Sequence, residues 1–154
     1  MKGKKVRAEN LEHTRAFAAH IVRELVATGP AKKSATVVGL YGELGAGKTT
    51  FTKEIARLFG IKRTVASPTF VLERIYAVAS KFKFSRLIHI DAYRLSGGKE
   101  LTSLGWDELL ADPKNLIFIE WPEKVMDVMP AKHIGIFFTH KGEFEREIEL
   151  RRVA

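Results

Sequence analysis

The sequence feature that most constrains the fold is a glycine-rich octapeptide at residues 42–49, which fits the pattern G-x-x-x-x-G-K-[ST]. Glycines in such a loop let the backbone wrap closely around an anion and aim successive N–H groups at it, which a Cβ atom would obstruct. Lys48 is expected to place its ammonium against the outer phosphates, and the hydroxyl of Thr49 can take one position on a magnesium ion. The pattern therefore predicts a loop that binds the phosphates of a nucleotide.

The segments on either side of this loop have the patterns that a phosphate loop requires. Residues 35–41 are a short apolar run rich in β-branched side chains, which is typical of a buried parallel strand. Downstream, Phe51, Ile55 and Leu58 recur at helical spacing, and Gly60 stands where the end of a helix favours a left-handed residue. The alternative, a glycine-rich turn with an incidental lysine, is disfavoured because both flanks are correct.

Length and composition predict a single domain over residues 1–154. With 45% hydrophobic and 29% charged residues, the chain can bury a substantial core and is not of the disordered class. It has no cysteine, which excludes disulfides, thiolate metal ligands and cysteine nucleophiles. Because we find neither a signal-peptide pattern nor an apolar run of the ~20 residues needed to cross a bilayer, we expect a cytoplasmic protein without a membrane partner.

The charge balance leaves two interpretations open. The formal net charge of +8 favours polyanionic partners, including nucleic acid, through long-range attraction. The basic residues are scattered along the chain, however, and they fit a solvated surface equally well.

Acidic residues follow two apolar segments that have the pattern of buried strands. Residues 82–90 end at Asp91, and residues 116–119 end at Glu120. An acid in this place is where an α/β sheet positions groups for its ligand, so Asp91 is expected to hold a magnesium-bound water or orient an attacking one. Asp91 could instead be a simple turn residue. Glu120 fits a Walker B carboxylate if its strand lies beside the phosphate loop, and His89 fits a partly exposed strand residue better than a ligand.

A hydroxyl-bearing segment at residues 65–70 has two interpretations of equal weight. Ser67 and Thr69 flank a proline that stiffens the backbone. Such a segment often senses the last phosphate and its magnesium ion. It could also be a turn that leads into a strand.

The remaining patterns predict the elements around the site. Asn10 is expected to cap a helix that Gly29 ends, and leucines at near-helical spacing predict a helix over residues 100–110. Residues 70–78 and 82–90 read as an antiparallel hairpin at an edge of the sheet.

A second hairpin is predicted near the end of the chain. Apolar residues alternate over 134–138, and the return strand over 144–150 places three glutamates on its other face. We expect these acids to form a solvated edge of the sheet rather than a metal site.

Several motifs together resemble one family. The sequence carries GELGAGKTT at 42–50, SPTF at 67–70, HIDAYRL at 89–95, LGWDE at 104–108 and IEWPE at 119–123, in that order. In this combination the chain is similar to the bacterial TsaE (YjeE) family of P-loop ATPases.

The resemblance implies a function beyond what spacing indicates. Proteins of this family bind ATP and magnesium and hydrolyse ATP together with the partner proteins TsaB and TsaD. The assembly installs a threonylcarbamoyl group on adenosine 37 of tRNAs that read codons beginning with A. By this resemblance tRNA contact would come through the complex.

The resemblance also implies roles for individual residues. Lys48 would contact the phosphates, Asp91 would act near the γ-phosphate, and Thr14 would approach the nucleotide. The expected catalytic residues are Lys48, Asp91 and Glu120; the expected nucleotide-binding residues are Thr14, Gly45, Ala46, Gly47, Lys48, Thr49, Thr50, Ser67 and Thr69; and the expected magnesium ligands are Thr49, Asp91 and Glu120.

We therefore expect a three-layer α/β P-loop NTPase fold, with a mainly parallel sheet, helices on both faces and antiparallel hairpin additions. A small-molecule kinase and a nucleotide-sensing tRNA-binding module with little hydrolysis are the alternative functions. A regulatory GTPase is disfavoured because the sequence lacks an N-K-x-D element. The sequence leaves open whether Asp91 or Glu120 orients the attacking water, and the lack of an evident arginine finger predicts slow turnover by the isolated protein.

Overall fold

The computed structural model describes residues 2–43, 45–62 and 73–153. Leu44 of the phosphate loop and both hydroxyl residues of the 65–70 segment, Ser67 and Thr69, lie outside the described residues. In chain order the elements are β1 (Lys4–Ala8), α1 (Leu11–Thr28), β2 (Thr36–Gly42), α2 (Lys48–Leu58), β3 (Glu73–Ala77), β4 (Arg86–Asp91), α3 (Gly98–Ser103), α4 (Trp106–Ala111), β5 (Asn115–Glu120), a 3₁₀ turn (Pro122–Val125), β6 (His133–His140) and β7 (Arg146–Val153).

The strands in the described residues form one seven-stranded sheet in the order β1-β7-β6-β2-β5-β4-β3. The four central strands, β6, β2, β5 and β4, are parallel to one another. Antiparallel strands extend the sheet on both sides, with β3 beside β4 and with β7 and β1 beyond β6. The predicted fold class is confirmed, including the antiparallel hairpin at the β3 edge.

Two apolar clusters hold helices against the two faces of the sheet. The stripe Phe17, Ile21 and Leu25 of α1 packs with Phe51 and Ile55 of α2 on one face. On the other face, α3, α4 and the 3₁₀ turn bury a second cluster; its members include Leu101, Trp106, Ile117, Ile119 and Val125. The result is the three-layer arrangement that the sequence predicts.

The ends of α1 follow the predicted capping chemistry. The side chain of Asn10 accepts a hydrogen bond from the backbone N–H of His13 at 2.9 Å, which satisfies one amide of the first turn. Gly29 ends the helix with φ +70°, and its N–H donates to the carbonyl of Leu25.

The sheet topology decides where the phosphate loop lies. The loop follows β2, which pairs in parallel with β5 on one side and β6 on the other, and β4 lies next to β5. Parallel strands end at the same edge of a sheet, so the carboxyl ends of β2, β4 and β5 meet beside this loop. None of the helices in the described part of the chain combines the length and hydropathy needed to span a membrane.

Three predictions about the elements were wrong. Residues 100–110 form two short helices, because Gly105 adopts φ +87° between them. Residues 82–85 precede β4 and do not belong to it. The return strand β7 is not an edge, because β1 pairs with it and brings Lys5 to 3.6 Å from the carboxylate of Glu147.

Gly42 provides a test of how tightly β2 fits at the start of the loop. We expect Gly42→Ala to destabilise the protein by about 2–3 kcal/mol, because φ there is +144° and an added Cβ would lie 2.6 Å from the carbonyl oxygen of Phe138. Urea unfolding of the nucleotide-free protein measures the change. Gly97→Ala is the matched control, since Gly97 is extended and has no atom within 4 Å of the added Cβ. Equal unfolding midpoints for the two variants would contradict this account.

Candidate functional site

The phosphate loop ends in a helix terminus suited to an anion. Gly45 and Gly47 adopt φ +78° and +99°, conformations that favour glycine, and α2 begins directly afterwards at Lys48. Among the described residues no side chain caps α2. The first amides of a helix have no intrahelical acceptor and carry the positive end of its dipole. This terminus can therefore receive a phosphate group.

The ammonium of Lys48 lies over this loop. Its Nζ donates to the carbonyl oxygen of Gly42 at 2.6 Å and lies 3.7 Å from the centroid of the Trp121 ring. Only 4% of Lys48 is exposed. Burial lowers the pKa of Lys48, while Glu120, Glu123 and Asp91 act in the opposite direction. Lys48 is thus a largely desolvated cation held between a backbone carbonyl and an aromatic ring.

The hydroxyl of Thr49 meets the carboxylate of Glu120. Thr49 Oγ1 donates to Glu120 Oε1 at 3.1 Å and lies 3.3 Å from Oε2. The contact exists because β2 and β5 are neighbours, with Leu40 opposite Glu120 in the register. Glu120 is 4% exposed, so the predicted Walker B residue lies buried beside the loop.

A histidine completes the surroundings of Glu120. His89 Nε2 lies 2.6 Å from Glu120 Oε2, and His89 is fully buried. The prediction that His89 is partly exposed was therefore wrong. The strand β4 runs between β3 and β5, and His89 faces the side of the sheet on which the α1 and α2 cluster packs.

Asp91 ends β4 directly opposite Glu120 in the parallel register. Its Oδ1 accepts a hydrogen bond from the backbone N–H of Tyr93 at 3.0 Å, so it also serves as a turn residue. Burial raises the pKa of Asp91, and the nearby Glu120 carboxylate raises it further. The Tyr93 N–H, His89 and Lys48 act to lower the same pKa. The structure therefore confirms Asp91 as a turn residue, and its role toward a magnesium ion or an attacking water stays a prediction.

The chemistry of these side chains suits a hard cation. Hydroxyl and carboxylate oxygens from Thr49, Asp91 and Glu120 are ligands of the kind that Mg²⁺ takes, usually together with waters and phosphate oxygens. In the parts of the chain that the structure describes, no three His, Asp or Glu side chains form a cluster able to hold a metal ion. The described side chains could therefore supply only part of the coordination shell of such an ion.

Trp121 closes the site from above Lys48. It is the single non-glycine residue with positive φ in the described ranges, at φ +60° and ψ +48°. Such a conformation costs of order 1 kcal/mol for a bulky residue. Its ring also lies 5.1 Å from that of Tyr93, centroid to centroid. This backbone conformation places the indole ring against the ammonium of Lys48.

Residues 8–148 match the family model described as threonylcarbamoyl adenosine biosynthesis protein TsaE. The chain belongs to the TsaE family. It is 35% identical over 153 residues to the tRNA threonylcarbamoyladenosine biosynthesis protein TsaE of Bacillus subtilis, covering 99% of this chain and 88% of that relative. The Haemophilus influenzae protein of the same name is 34% identical over 118 residues, which is 77% of this chain and 71% of that protein.

A solved structure shares the fold. The crystal structure of Bacillus subtilis YdiB superimposes with a TM-score of 0.72 and 32% sequence identity, covering 99% of this chain and 87% of that one.

The structure brings together most of the residues that the sequence proposed. Lys48, Thr49, Asp91 and Glu120 converge at the carboxyl ends of β2, β4 and β5. A cavity of about 260 Å³ opens beside them, and its walls include four of the predicted nucleotide-binding residues, Thr14, Ala46, Gly47 and Thr50.

Other residues of the TsaE site carry no sequence signal. Arg146 Nη2 donates to the carbonyl oxygen of Gly45 at 3.3 Å, and a Cβ at Gly47 would lie 3.6 Å from Arg146 Nε. Asn10 and the largely exposed Phe144 line the same cavity. Spacing could not reveal these contacts, because Arg146 is 101 positions from Gly45 and its alternation in β7 suggests only an inward-facing residue.

The paired acids at the ends of β4 and β5 provide a test of the electrostatics. We expect Asp91→Asn to stabilise the nucleotide-free protein at pH 7 by about 0.5–1 kcal/mol, because the amide keeps the Tyr93 bond and removes a partly buried charge beside Glu120. A raised carboxyl pKa contributes stability below the unfolded value, near 3.8, that is lost as pH rises through the folded value. The advantage of Asn should therefore grow with pH.

Thermal unfolding between pH 4 and 8 measures this difference. Asp107→Asn is the matched control, since Asp107 is exposed in the first turn of α4 and should give no gain. An Asp91→Asn protein that melts below the parent at pH 7 would contradict the analysis.

Proposed function

We propose that this chain is the ATP-hydrolysing subunit required for threonylcarbamoyl modification of adenosine 37 in tRNAs that read codons starting with A. The observation that supports it most is the 3.1 Å contact between Thr49 Oγ1 and Glu120 Oε1, immediately beside the Lys48 ammonium and the helix terminus. A hydroxyl, a buried acid and a buried cation in this arrangement suit a nucleotide triphosphate and a divalent ion. Membership of the TsaE family supports the pathway.

The proposed ligands are ATP and Mg²⁺. The amides of residues 45–50 and Lys48 would bind the phosphates, and Thr49 and Glu120, with Asp91 nearby, would hold the ion. When bound, the ion neutralises charge on the phosphate oxygens. We also propose that Ser67 and Thr69 belong to a segment that senses the last phosphate.

The nucleoside has a candidate location in the cavity next to Thr14 and Thr50. Phe144 is 75% exposed at this cavity, and an exposed ring can stack against the flat face of a base. The Asn10 and Arg146 side chains supply polar groups at the same walls. We propose that the adenosine lies here, with its phosphates directed along the loop toward Lys48.

The proposed reaction is in-line attack of water on the γ-phosphorus. The new bond joins the water oxygen to phosphorus, and the bond to the β–γ bridging oxygen breaks to release ADP and phosphate. We assign the orientation of this water to Asp91. Both oxygens of Glu120 already accept hydrogen bonds, from Thr49 and His89, and burial makes Asp91 a better proton acceptor than an ordinary aspartate. Lys48 would stabilise the charge that develops on the phosphoryl oxygens.

The proposed setting is a cytoplasmic complex with TsaB and TsaD. In this proposal the isolated chain turns over slowly and the partners complete the site. The formal charge of +8 is compatible with work near a polyanion such as tRNA, which the complex would present.

Substitution of the loop lysine tests nucleotide binding. We expect Lys48→Ala to weaken ATP binding at least tenfold and to slow hydrolysis about 100-fold, because it removes the charge that contacts the phosphates. Calorimetry and phosphate release measure the two effects. Lys53→Ala is the control, an exposed lysine on the same helix α2.

Substitution of the loop threonine tests the proposed magnesium ligand. Thr49→Ser keeps the hydroxyl and should keep magnesium-dependent turnover, whereas Thr49→Ala removes the hydroxyl and should lose most of that turnover.

The assay also distinguishes the alternative functions. Turnover measured alone, with TsaB and TsaD, and with tRNA should rise on addition of the two proteins. Transfer of the phosphate to a metabolite would indicate a kinase instead, and tight, salt-sensitive tRNA binding without turnover would indicate a nucleotide-sensing module. Unchanged binding and hydrolysis in Lys48→Ala would overturn the assignment.

A further inference from the structure

We propose that His89 is a positioning residue that holds the carboxylate of Glu120 in place for the divalent cation. The inference rests on the proposed function, because it assigns a role at that same site. It starts from a contact that nucleotide binding does not itself require: His89 Nε2 lies 2.6 Å from Glu120 Oε2, and both side chains are buried.

The sheet fixes the two residues on one face. Asp91 lies opposite Glu120 in the parallel register of β4 and β5, and His89 precedes Asp91 by two residues, so the three side chains point to the same side. A two-residue step along a strand is about 7 Å, which an imidazole and a glutamate side chain together can span. The 2.6 Å contact is therefore a consequence of strand pairing that a loop could not hold as firmly.

The hydrogen bond defines where the ring proton lies. An ionised carboxylate has no proton to give, so Nε2 must carry the hydrogen and donate it to Oε2. The other nitrogen, Nδ1, is buried and has no hydrogen-bond partner among the described residues. Buried polar atoms are rarely left unpaired, and each exception calls for an explanation. The hydrogen bond from Nε2 to Glu120 explains why a buried ring with an unpaired Nδ1 is tolerated here.

The two oxygens of the Glu120 carboxylate have different neighbours. His89 engages Oε2, while Oε1 is the oxygen nearer to the Thr49 hydroxyl, at 3.1 Å. With His89 in place the carboxylate cannot rotate without breaking a buried hydrogen bond, so Oε1 stays directed toward the phosphate loop. Groups that orient metal ligands from outside commonly change metal affinity by 10–100-fold when they are lost.

Two amide variants separate this role from simple packing. The Nε2 atom of glutamine is as many bonds from Cα as the Nε2 of histidine, so His89→Gln can still donate to Glu120. The amide nitrogen of asparagine corresponds to Nδ1 instead, so His89→Asn keeps a polar side chain but loses the donor at the required position. If His89 served packing alone, His89→Gln would have no reason to retain the function that His89→Asn loses.

The experiment is a titration of Mn²⁺, as a probe for the divalent site, into the protein with ADP, followed by electron paramagnetic resonance. We expect His89→Asn to weaken Mn²⁺ binding to the ADP complex about tenfold or more, and His89→Gln to remain within about threefold of the parent. In the presence of EDTA, ADP affinity should differ by less than about twofold among the three proteins, since the side-chain hydrogen bond of His89 within the described residues is made to Glu120.

Each outcome bears on the inference. Parent-like Mn²⁺ affinity in a folded His89→Asn protein overturns it, as does equal weakening in His89→Gln. If the parent binds neither ADP nor Mn²⁺ with ADP, the proposed function fails instead, and the loss is seen before any variant is made.

A second measurement covers the case in which His89→Asn does not fold. In the parent protein, ¹⁵N spectra of the imidazole should show the hydrogen of His89 on Nε2 both with and without Mg²⁺ and ADP. A hydrogen on Nδ1 with none on Nε2, in either state, would overturn the inference, because Nε2 would then have nothing to donate to Glu120.

Discussion

The parallel pairing of β2 with β5 is the constraint on which the rest of the site depends. It places the last residue of β5, Glu120, against the first turn of α2, where Thr49 Oγ1 reaches its carboxylate at 3.1 Å. The same pairing surrounds both strands with parallel neighbours, and most of their side chains are buried. A different strand order would leave the loop, the lysine and the acid intact in the sequence but apart in space.

The site is assembled at a cost in stability. Asp91 and Glu120 end adjacent strands with their side chains on one face, Lys48 is almost fully buried, and Trp121 adopts a left-handed backbone conformation. Like charges in a poorly solvated place raise the free energy of the folded protein, and the cation that we propose for this site would offset that repulsion. Unfavourable electrostatics and backbone strain of this kind are common at functional sites, where they lower the stability of the protein. The apolar clusters on both faces of the sheet provide the stability that the site itself lacks.

The sequence predicted those features that depend on local chemistry. The phosphate loop, the caps of α1 and the acids at the ends of β4 and β5 each follow from residues that are near one another in the chain. The burial of His89 did not, because it depends on which elements cover β4 from above. The first strand was missed because three of its five residues, Lys4, Lys5 and Arg7, are charged, and it gains its place only by pairing with β7. Arg146 reaches the loop for the same reason, through a hairpin whose register the sequence alone does not reveal.

The central claim is that the ends of β2, β4 and β5 form one site for a nucleotide and its divalent ion. Paramagnetic broadening of backbone amide signals by Mn²⁺ bound together with ADP tests it most directly. A single site predicts the strongest broadening at Thr49, Asp91 and Glu120. It predicts little broadening at Ser34 and Lys114, which precede β2 and β5 at the opposite edge of the sheet. Strong broadening at that opposite edge, or none at the three named residues, would contradict it.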